Sequence, residues 1–347
     1  MSLAQKRKSF AIRDAARLLG ALEHIAKWAP WMRSLFISLR IALINAMRRN
    51  RTLVFEGKAM KNFVSDLSLP RNSDTNLLKS SFANSKISKK IWELKTKFFI
   101  TTSLKCELQL LHGIFSMHTH QLRSPISHLI PRIPEFTAFG DACLEGAGGY
   151  SAELQFWFYI EWPEDIKKRT LKHFKRTIKI DHEKFTSINL LEYVTILVLY
   201  AAATQAVQDN KRLSKNEYPT IKIMSDNTSA LSWTRKVSAS TKAGAALGRL
   251  FTCLMFNNKL GLWTKHIAGV DNVIADDISG MNTSDITKSI CTIFKKYPQI
   301  KKSKRFHPSP ELLSQIWSSL LEGQKVDMTT RKTLGQFVEE KIIFTSF

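Results

Sequence analysis

The sequence predicts an α/β fold in which a mixed sheet is flanked by helices and is preceded by a mainly helical region. Three observations lead to this prediction. Apolar residues near the start recur at steps of three and four, which is the period of a helix. Three prolines interrupt the chain between 125 and 134, and beyond them short strand-like segments alternate with helical ones. The 347 residues, 44% of them hydrophobic, are enough for the cores of two ordinary domains.

Residues 1–125 are predicted to form the helical region. One helix is expected over residues 11–29, where the apolar side chains share one face and Pro30 ends the pattern. A second helix is expected over residues 31–49. The polar stretch 69–90, rich in Asn and Ser, predicts a loop.

Residues 126–285 are predicted to form the α/β domain. Three strands come first and helices then alternate with strands, which predicts a mixed sheet. In chain order we expect strands in "FTAFGD", "GAGGYSA" and "LQFWFYIEW", a helix over 188–209, a strand in "TIKIMSD", helices over 226–236 and 240–258, a strand in "GLWTKHI" and a short helix beginning near Asp271. Residues 286–347 are predicted to be a basic helical C-terminal tail.

The balance of charge favours a polyanionic partner. The chain has 52 Lys and Arg against 29 Asp and Glu, a formal net charge of +23, and such an excess favours nucleic acid over an acidic small substrate. Each basic run alone is typical of a solvated face, but together they indicate an extended track for phosphates. The runs lie at 6–8, 48–51, 89–90, 167–169 and 301–305.

The cysteines and the most apolar segment bear on location. The four cysteines form no CxxC pair and have no histidine at zinc-ligand spacing, which indicates a reducing intracellular compartment, cytoplasmic or nuclear. No cleavable signal is visible at the N-terminus. Residues 190–207 approach membrane-spanning length but include Glu192 and Thr195, so we expect a buried core helix and no membrane contact.

Four carboxylates in the α/β domain are candidates for one metal centre. Asp141 and Asp226 each end a predicted strand, and that edge of an open α/β sheet is where sites are built. Glu192 lies in a helix whose apolar neighbours make an uncompensated charge costly. Asp276 follows the last strand, ten residues after His266. Carboxylates that converge from separate elements suit Mg²⁺, which prefers oxygen ligands.

Each of these residues also has an ordinary interpretation. Asp141 suits a turn, Asp226 suits a helix cap, and Glu192 suits an exposed position at the start of a helix. His266 would then be a loop histidine. Asp276 and its neighbour Asp277 also raise the alternative of a polymerase hairpin, in which paired aspartates lie between two strands.

In this order the four motifs resemble the RNase H domain of retroelement reverse transcriptases. The matching segments are "GDACLEGAGGY", "INLLEY", "SDNTSALSW" and "HIAGVDNVIADDIS". The helical region is similar to the thumb and connection of retrotransposon proteins, especially those of DIRS-type and gypsy-type elements. The likeness covers roughly residues 10–285.

The resemblance implies an RNase H-like fold and a magnesium-dependent endonuclease that cleaves the RNA strand of RNA–DNA hybrids. It implies that two Mg²⁺ ions, with Mn²⁺ as an alternative, are held by Asp141, Glu192, Asp226 and Asp276, with Asp141 bridging both. The family pattern of Ala-Asp two residues before an aliphatic residue selects Asp276 over Asp277.

Three further residues receive roles from the resemblance. His266 would assist proton movement or product release, which suits a side chain that titrates near neutrality. Asn189 and Asn227 would contact the minor groove of the hybrid, where RNA strands are recognised through their 2′-hydroxyls.

Two departures from the family bear on function. Relatives often have Ser-Arg after the last acid, where this chain has Ser279 and Gly280, which would remove one phosphate contact. No fingers or palm region is recognised before residue 10, so we expect the C-terminal part of a reverse transcriptase, with any polymerase portion encoded elsewhere.

Other functions remain open at this point. A non-catalytic, nucleic-acid-binding remnant of a retroelement would keep the fold and the charge without a substrate. An integrase or resolvase would share the carboxylate chemistry. A polymerase would need a second palm aspartate and a fingers region, and the first third of the chain predicts no fingers-like sheet.

Overall fold

The computed structural model describes ten ranges of the chain: 9–26, 30–54, 97–116, 133–174, 186–210, 219–236, 241–258, 260–281, 285–322 and 334–338. The loop predicted over 69–90 and the boundary predicted between residues 125 and 126 lie outside these ranges. By its internal contacts the chain divides into two compact units, 1–27 with 35–118 and 28–34 with 119–347.

The first unit combines a short sheet with helices. Its elements are strand β1 (Ser9–Ala11), helices α1 (Ile12–Ile25) and α2 (Ile37–Val54), strand β2 (Lys97–Phe99) and helix α3 (Thr102–Ser116). Strands β1 and β2 pair antiparallel. The buried Glu107 accepts hydrogen bonds from the backbone N–H groups of Ser38 and Leu39 at 2.8 and 3.2 Å, so its carboxylate caps the start of α2. Residues 31–36, the start of the helix predicted over 31–49, belong instead to a 3₁₀ helix, Pro30–Phe36.

In the described residues of the second unit, seven strands form a mixed sheet flanked by helices, so the predicted α/β class is confirmed. Its strands are β3 (Phe136–Ala142), β4 (Gly146–Ser151), β5 (Phe156–Glu161), β6 (Thr220–Ser225), β7 (Gly261–His266), β8 (Lys304–Pro308) and β9 (Gly335–Val338). Its helices are α4 (Glu164–Phe174), α5 (Ile188–Asp209), α6 (Thr228–Lys236), α7 (Lys242–Asn257), α8 (Val273–Ser279), α9 (Ile286–Lys296) and α10 (Pro310–Glu322).

The strands lie in the order β7-β6-β3-β4-β5-β8-β9. Strands β3, β4 and β5 form an antiparallel meander, whereas β6 pairs parallel with β3, and β7 pairs parallel with β6. The carboxyl ends of three parallel strands therefore meet at one edge of the sheet.

Alternating side chains of β5 divide the core into two layers. Phe156 and Phe158 belong to the larger cluster, which is centred on α5, whereas Trp157 and Tyr159 belong to the cluster under α8 and α9. Helix α5 is long and apolar enough to cross a membrane, but 94% of its most apolar window is buried inside the protein, as for a core helix.

The C-terminal segment differs from the tail predicted over 286–347. Helices α9 and α10 lie within it, but it also contains β8, which pairs parallel with β5, and β9, which pairs antiparallel with β8. The apolar residues Phe306, Ile316 and Leu334 join the main core. Burial of these side chains makes the described part of this segment integral to the sheet.

Gly148 sets the approach of α8 to the sheet. A Cβ atom on this residue would lie 2.4 Å from the backbone nitrogen of Ser279 and 2.7 Å from the carbonyl carbon of Ile278. Because these are backbone atoms, α8 would have to move outward. We expect Gly148→Ala to lower the free energy of unfolding by about 1–3 kcal/mol, measured by urea denaturation.

The matched control is Gly280→Ala, at the end of the same helix. Its φ is −83°, and the nearest atom to an added Cβ is 3.4 Å away. We expect no loss of stability beyond about 0.5 kcal/mol. Equal losses in the two variants would contradict the role assigned to Gly148.

Candidate metal centre

Three acidic side chains converge at the edge where the parallel strands end. One carboxylate oxygen from each of Asp141, Glu192 and Asp226 can be chosen so that all three atoms lie within 4.8 Å of one another. Asp141 and Glu192 are buried, at 9% and 4% exposure, and Asp226 is the most accessible of the three. The arrangement has the donor type, spacing and access that a metal ion requires.

The fold brings these acids together from three separate elements. Asp141 is the penultimate residue of β3, and Asp226 directly follows β6, the parallel neighbour of β3. Glu192 lies in the second turn of α5, the helix that packs on the face of the sheet opposite α8. Residues separated by 51 and 34 positions in sequence thus share one sheet edge.

Glu192 is held at the centre by two weak hydrogen bonds. The backbone N–H of Ala142 donates to its Oε1 and the hydroxyl of Ser225 donates to its Oε2, each at 3.4 Å. Burial raises the pKa of this carboxyl to about 9, and the nearby charges of Asp141 and Asp226 add to the rise. Without a cation, Glu192 therefore carries a proton at neutral pH.

Asp141 faces the α8 side of the sheet. Burial raises its pKa, the hydrogen bond from Ser279 opposes this, and the charges of Asp226 and Asp276 raise it further. The Ser279 hydroxyl lies 2.7 Å from Asp141 Oδ2 and is fully buried. One oxygen of Asp141 is thus fixed by the last residue of α8.

The donor set fits a hard divalent cation. The three atoms that could bind an ion are carboxylate oxygens. In the described part of the chain, no Lys or Arg side chain lowers the pKa of Asp141 or Glu192. Clustered acids with raised pKa values and no basic partner are destabilising unless a cation compensates them. A bound divalent ion would provide that compensation.

Asp276 and Asp277 have different environments. Asp276 is exposed and stands outside the group of three, but it is near enough to Asp141 to raise the pKa of that residue. Asp277 Oδ2 instead accepts hydrogen bonds from Lys296 Nζ and Tyr297 Oη, both at 2.7 Å. Burial raises the pKa of Asp277, but these hydrogen bonds outweigh it and the net shift is downward. Of the two aspartates, Asp276 is therefore the one whose charge acts on Asp141, whereas Asp277 is paired with α9 and the residue after it.

His266 and the two asparagines lie around the centre. His266 is exposed at the end of β7 and is in register with Ser225, the residue before Asp226. Asn227 donates from Nδ2 to Asn189 Oδ1 at 2.9 Å, and its own Oδ1 accepts from the N–H of Ala230 at the start of α6. Asn227 therefore caps a helix and positions Asn189, one turn before Glu192.

Sequence patterns alone miss the contributions of Ser279 and Asn272. Ser279 follows Asp276 by three residues, a spacing that puts both on neighbouring positions of α8, but its contact is 138 residues away on β3. Asn272, only 3% exposed, donates from Nδ2 to the carbonyl of Gly140 at 3.1 Å. These two side chains join the segment that carries Asp276 to β3.

We expect Ser279→Ala to weaken Mn²⁺ binding by about 10–100-fold, as is typical when the partner of a metal ligand is removed. Loss of this hydrogen bond also raises the pKa of Asp141 further, so protons compete better and the loss should be larger at pH 6 than at pH 8. Calorimetric titration at the two pH values measures this. The control is Ser319→Ala, equally buried on α10, which should bind Mn²⁺ like the parent protein. Unchanged affinity of Ser279→Ala at both pH values would rule out the positioning role.

No protein-family model, curated protein or solved structure matches this chain.

Proposed function

We propose that this protein is a magnesium-dependent endonuclease that cleaves the RNA strand of RNA–DNA hybrids, with an RNase H-like fold related to the C-terminal part of a retroelement reverse transcriptase. One observation carries the proposal. Asp141, Glu192 and Asp226, selected from sequence motifs of that family, converge within 4.8 Å at one edge of a mixed sheet. The net charge of +23 supports a nucleic-acid substrate.

The proposed ligands are Asp141, Glu192, Asp226 and Asp276, and the proposed ions are two Mg²⁺, which Mn²⁺ can replace. Such ions supply activation of a water molecule and stabilisation of the leaving oxygen of a phosphodiester. Hydrogen bonds within the protein position the proposed ligands. Ser279 fixes one oxygen of Asp141, and the bonds from Ala142 and Ser225 hold Glu192 toward the centre.

The surrounding polar groups suit a hybrid substrate. The hydrogen bond from Asn227 uses Oδ1 of Asn189, so the amide N–H₂ group of Asn189 can donate to another acceptor. A 2′-hydroxyl of the RNA strand would suit that donor. His266 is exposed at the end of β7, beside the strand that Asp226 follows, and this position suits the proposed role in proton movement or product release.

The test uses three substrates of one sequence: an RNA–DNA hybrid, a DNA duplex and single-stranded RNA, each end-labelled. The proposal expects cleavage of the RNA strand of the hybrid alone, dependent on Mg²⁺ or Mn²⁺ and abolished by chelation. Binding without cleavage in both metals would identify a non-catalytic remnant. Cleavage of the DNA duplex would instead favour an integrase- or resolvase-like enzyme.

A further inference from the structure

We propose that α9, the turn after it and the start of β8 form a second nucleic-acid-binding surface that holds the phosphate backbone of the substrate beyond the metal centre. This surface, called here the α9–β8 face, consists of Lys288, Lys295, Lys296, Lys301, Lys302 and Lys304. The inference rests on the proposed function, since it assigns this face to the same substrate.

Charge and exposure are concentrated in this segment. Residues 285–305 contain seven basic side chains and one acidic side chain, Asp285, a net charge of +6. All six lysines of the face are exposed. Such a density of cations attracts a polyanion and releases its counterions on binding.

Helix geometry directs two of these lysines outward together. Ile290, Ile293 and Phe294 bury one side of α9 against the sheet. Lys288 and Lys295 are seven residues apart, which places both on the opposite side of the helix, about 10 Å apart along its axis. That spacing corresponds to roughly three nucleotides at about 3.4 Å per nucleotide of one strand.

The face is continuous with the metal centre. Helices α8 and α9 pack in the same cluster on the same face of the sheet. Lys296 Nζ and Tyr297 Oη both donate to Asp277, the residue after Asp276. The basic helix is thus fastened one residue from a proposed metal ligand, so a strand leaving the centre on this side meets it.

The start of β8 is held firmly enough to present the lysines before it. The N–H of Lys304 donates to the carbonyl of Gln155 at 2.9 Å, and the Arg305 guanidinium lies over the Trp157 ring, 5.2 Å from its centroid. Lys301 and Lys302 therefore stand in a turn between two anchored elements, α9 and β8.

The chemistry of the face favours nucleic acid over an anionic membrane. A helix that binds a membrane surface exposes apolar side chains to the lipid. On α9 the large apolar side chains Ile290, Ile293 and Phe294 are buried in the protein's core, and the exposed side presents Lys and Thr. An exposed helix side of Lys and Thr matches a sugar–phosphate backbone.

The test is charge reversal at Lys301 and Lys302, both to Glu, in the full chain. Anisotropy of a labelled hybrid of about 20 base pairs is measured in EDTA over a range of salt concentrations, so that binding is separated from cleavage. We expect the affinity to fall about tenfold or more at moderate salt. The negative slope of log affinity against log salt should decrease in magnitude by about two. A DNA duplex should show the same loss, because the face contacts backbone.

The matched control reverses the same number of charges elsewhere. Lys236→Glu/Lys242→Glu alters exposed lysines on α6 and α7, whose buried residues Leu231 and Leu247 belong to the core on the other face of the sheet. It should leave affinity within about threefold of the parent protein. Equal losses in both pairs, unchanged binding by Lys301→Glu/Lys302→Glu, or binding of the parent protein to phosphatidylserine vesicles in place of the hybrid would each overturn the inference.

This experiment separates two failures. If the parent protein binds the hybrid through this face but never cleaves it, the nuclease proposal fails and the surface stands. If cleavage occurs and the charge reversal changes neither affinity nor salt slope, the surface fails and the nuclease proposal stands.

Discussion

Asp141→Asn is expected to abolish metal-dependent cleavage of the RNA strand, lowering the initial rate by about a thousandfold or more. The change removes a charge and one oxygen from a carboxylate that would hold the metal ions. Metal stabilisation of a transition state is worth several kcal/mol, and about 4 kcal/mol corresponds to a thousandfold in rate. End-labelled RNA within a hybrid gives the rate directly.

The fold should survive this substitution. Asn has nearly the same shape as Asp, and loss of the charge relieves repulsion from Asp226 and Asp276, which raises the pKa of Asp141 in the parent protein. The melting temperature without metal should therefore not fall. Asp271→Asn, the same chemical change at an exposed position in the 3₁₀ turn before α8, is the control and should cleave at the parent rate. Cleavage by Asp141→Asn within a few fold of the parent protein would contradict the site.

Glu192→Gln is expected to make the metal-free protein more stable at pH 8 and to remove its stabilisation by divalent ions. The folded-state pKa of Glu192, about 9, is above its ordinary value of 4.5, so the folded state holds the extra proton. The proton on Glu192 contributes to the free energy of unfolding. That contribution is fully present below about pH 4.5 and decreases toward pH 9 by about 1.4 kcal/mol for each pH unit. Gln imitates the protonated form and escapes that decline.

The local hydrogen bonds can adapt to the amide. Its oxygen can accept from the N–H of Ala142, and its N–H₂ group can donate to the Ser225 hydroxyl, which rotates freely. The stability difference between variant and parent, measured by urea denaturation with EDTA, should grow steadily from pH 5 to pH 8. A constant difference over that interval would contradict the raised pKa of Glu192.

Metal binding gives a second measurement of the same residue. An ion that enters the centre below pH 9 must displace the proton from Glu192, so Mn²⁺ binding should release about one proton from this side chain. Calorimetry in two buffers of different ionisation enthalpy measures that release. The release should be smaller by about one proton in Glu192→Gln, and equal release in the two proteins would count against Glu192 as a ligand.

The sequence predicts the elements near the centre because their signals are local. Apolar residues surround Glu192 on every side, which indicates a buried charge, and Asp141 and Asp226 each end an apolar run. The helices expected over 226–236 and 240–258 agree closely with α6 and α7. Where a residue's environment depends on its neighbours in the chain, the sequence pattern predicts that environment.

Long-range pairing explains what the sequence does not predict. Strand β8 pairs with β5 some 150 residues earlier, and its run of lysines and arginine conceals a short strand. The contact between Ser279 and Asp141 likewise depends on where α8 lies on the sheet, which Gly148 decides. The different partners of Asp276 and Asp277 follow from the position of α9, which no motif records.

The most direct test of the central claim, that these carboxylates hold divalent cations, is the anomalous scattering of Mn²⁺ in crystals of this protein. We expect anomalous difference density between the carboxylates of Asp141, Glu192 and Asp226, with a further peak toward Asp276. The density should vanish in crystals of Asp141→Asn. Crystals saturated with Mn²⁺ that show no density at this edge of the sheet, or a Glu192 side chain turned away from Asp141 and Asp226, would contradict the account.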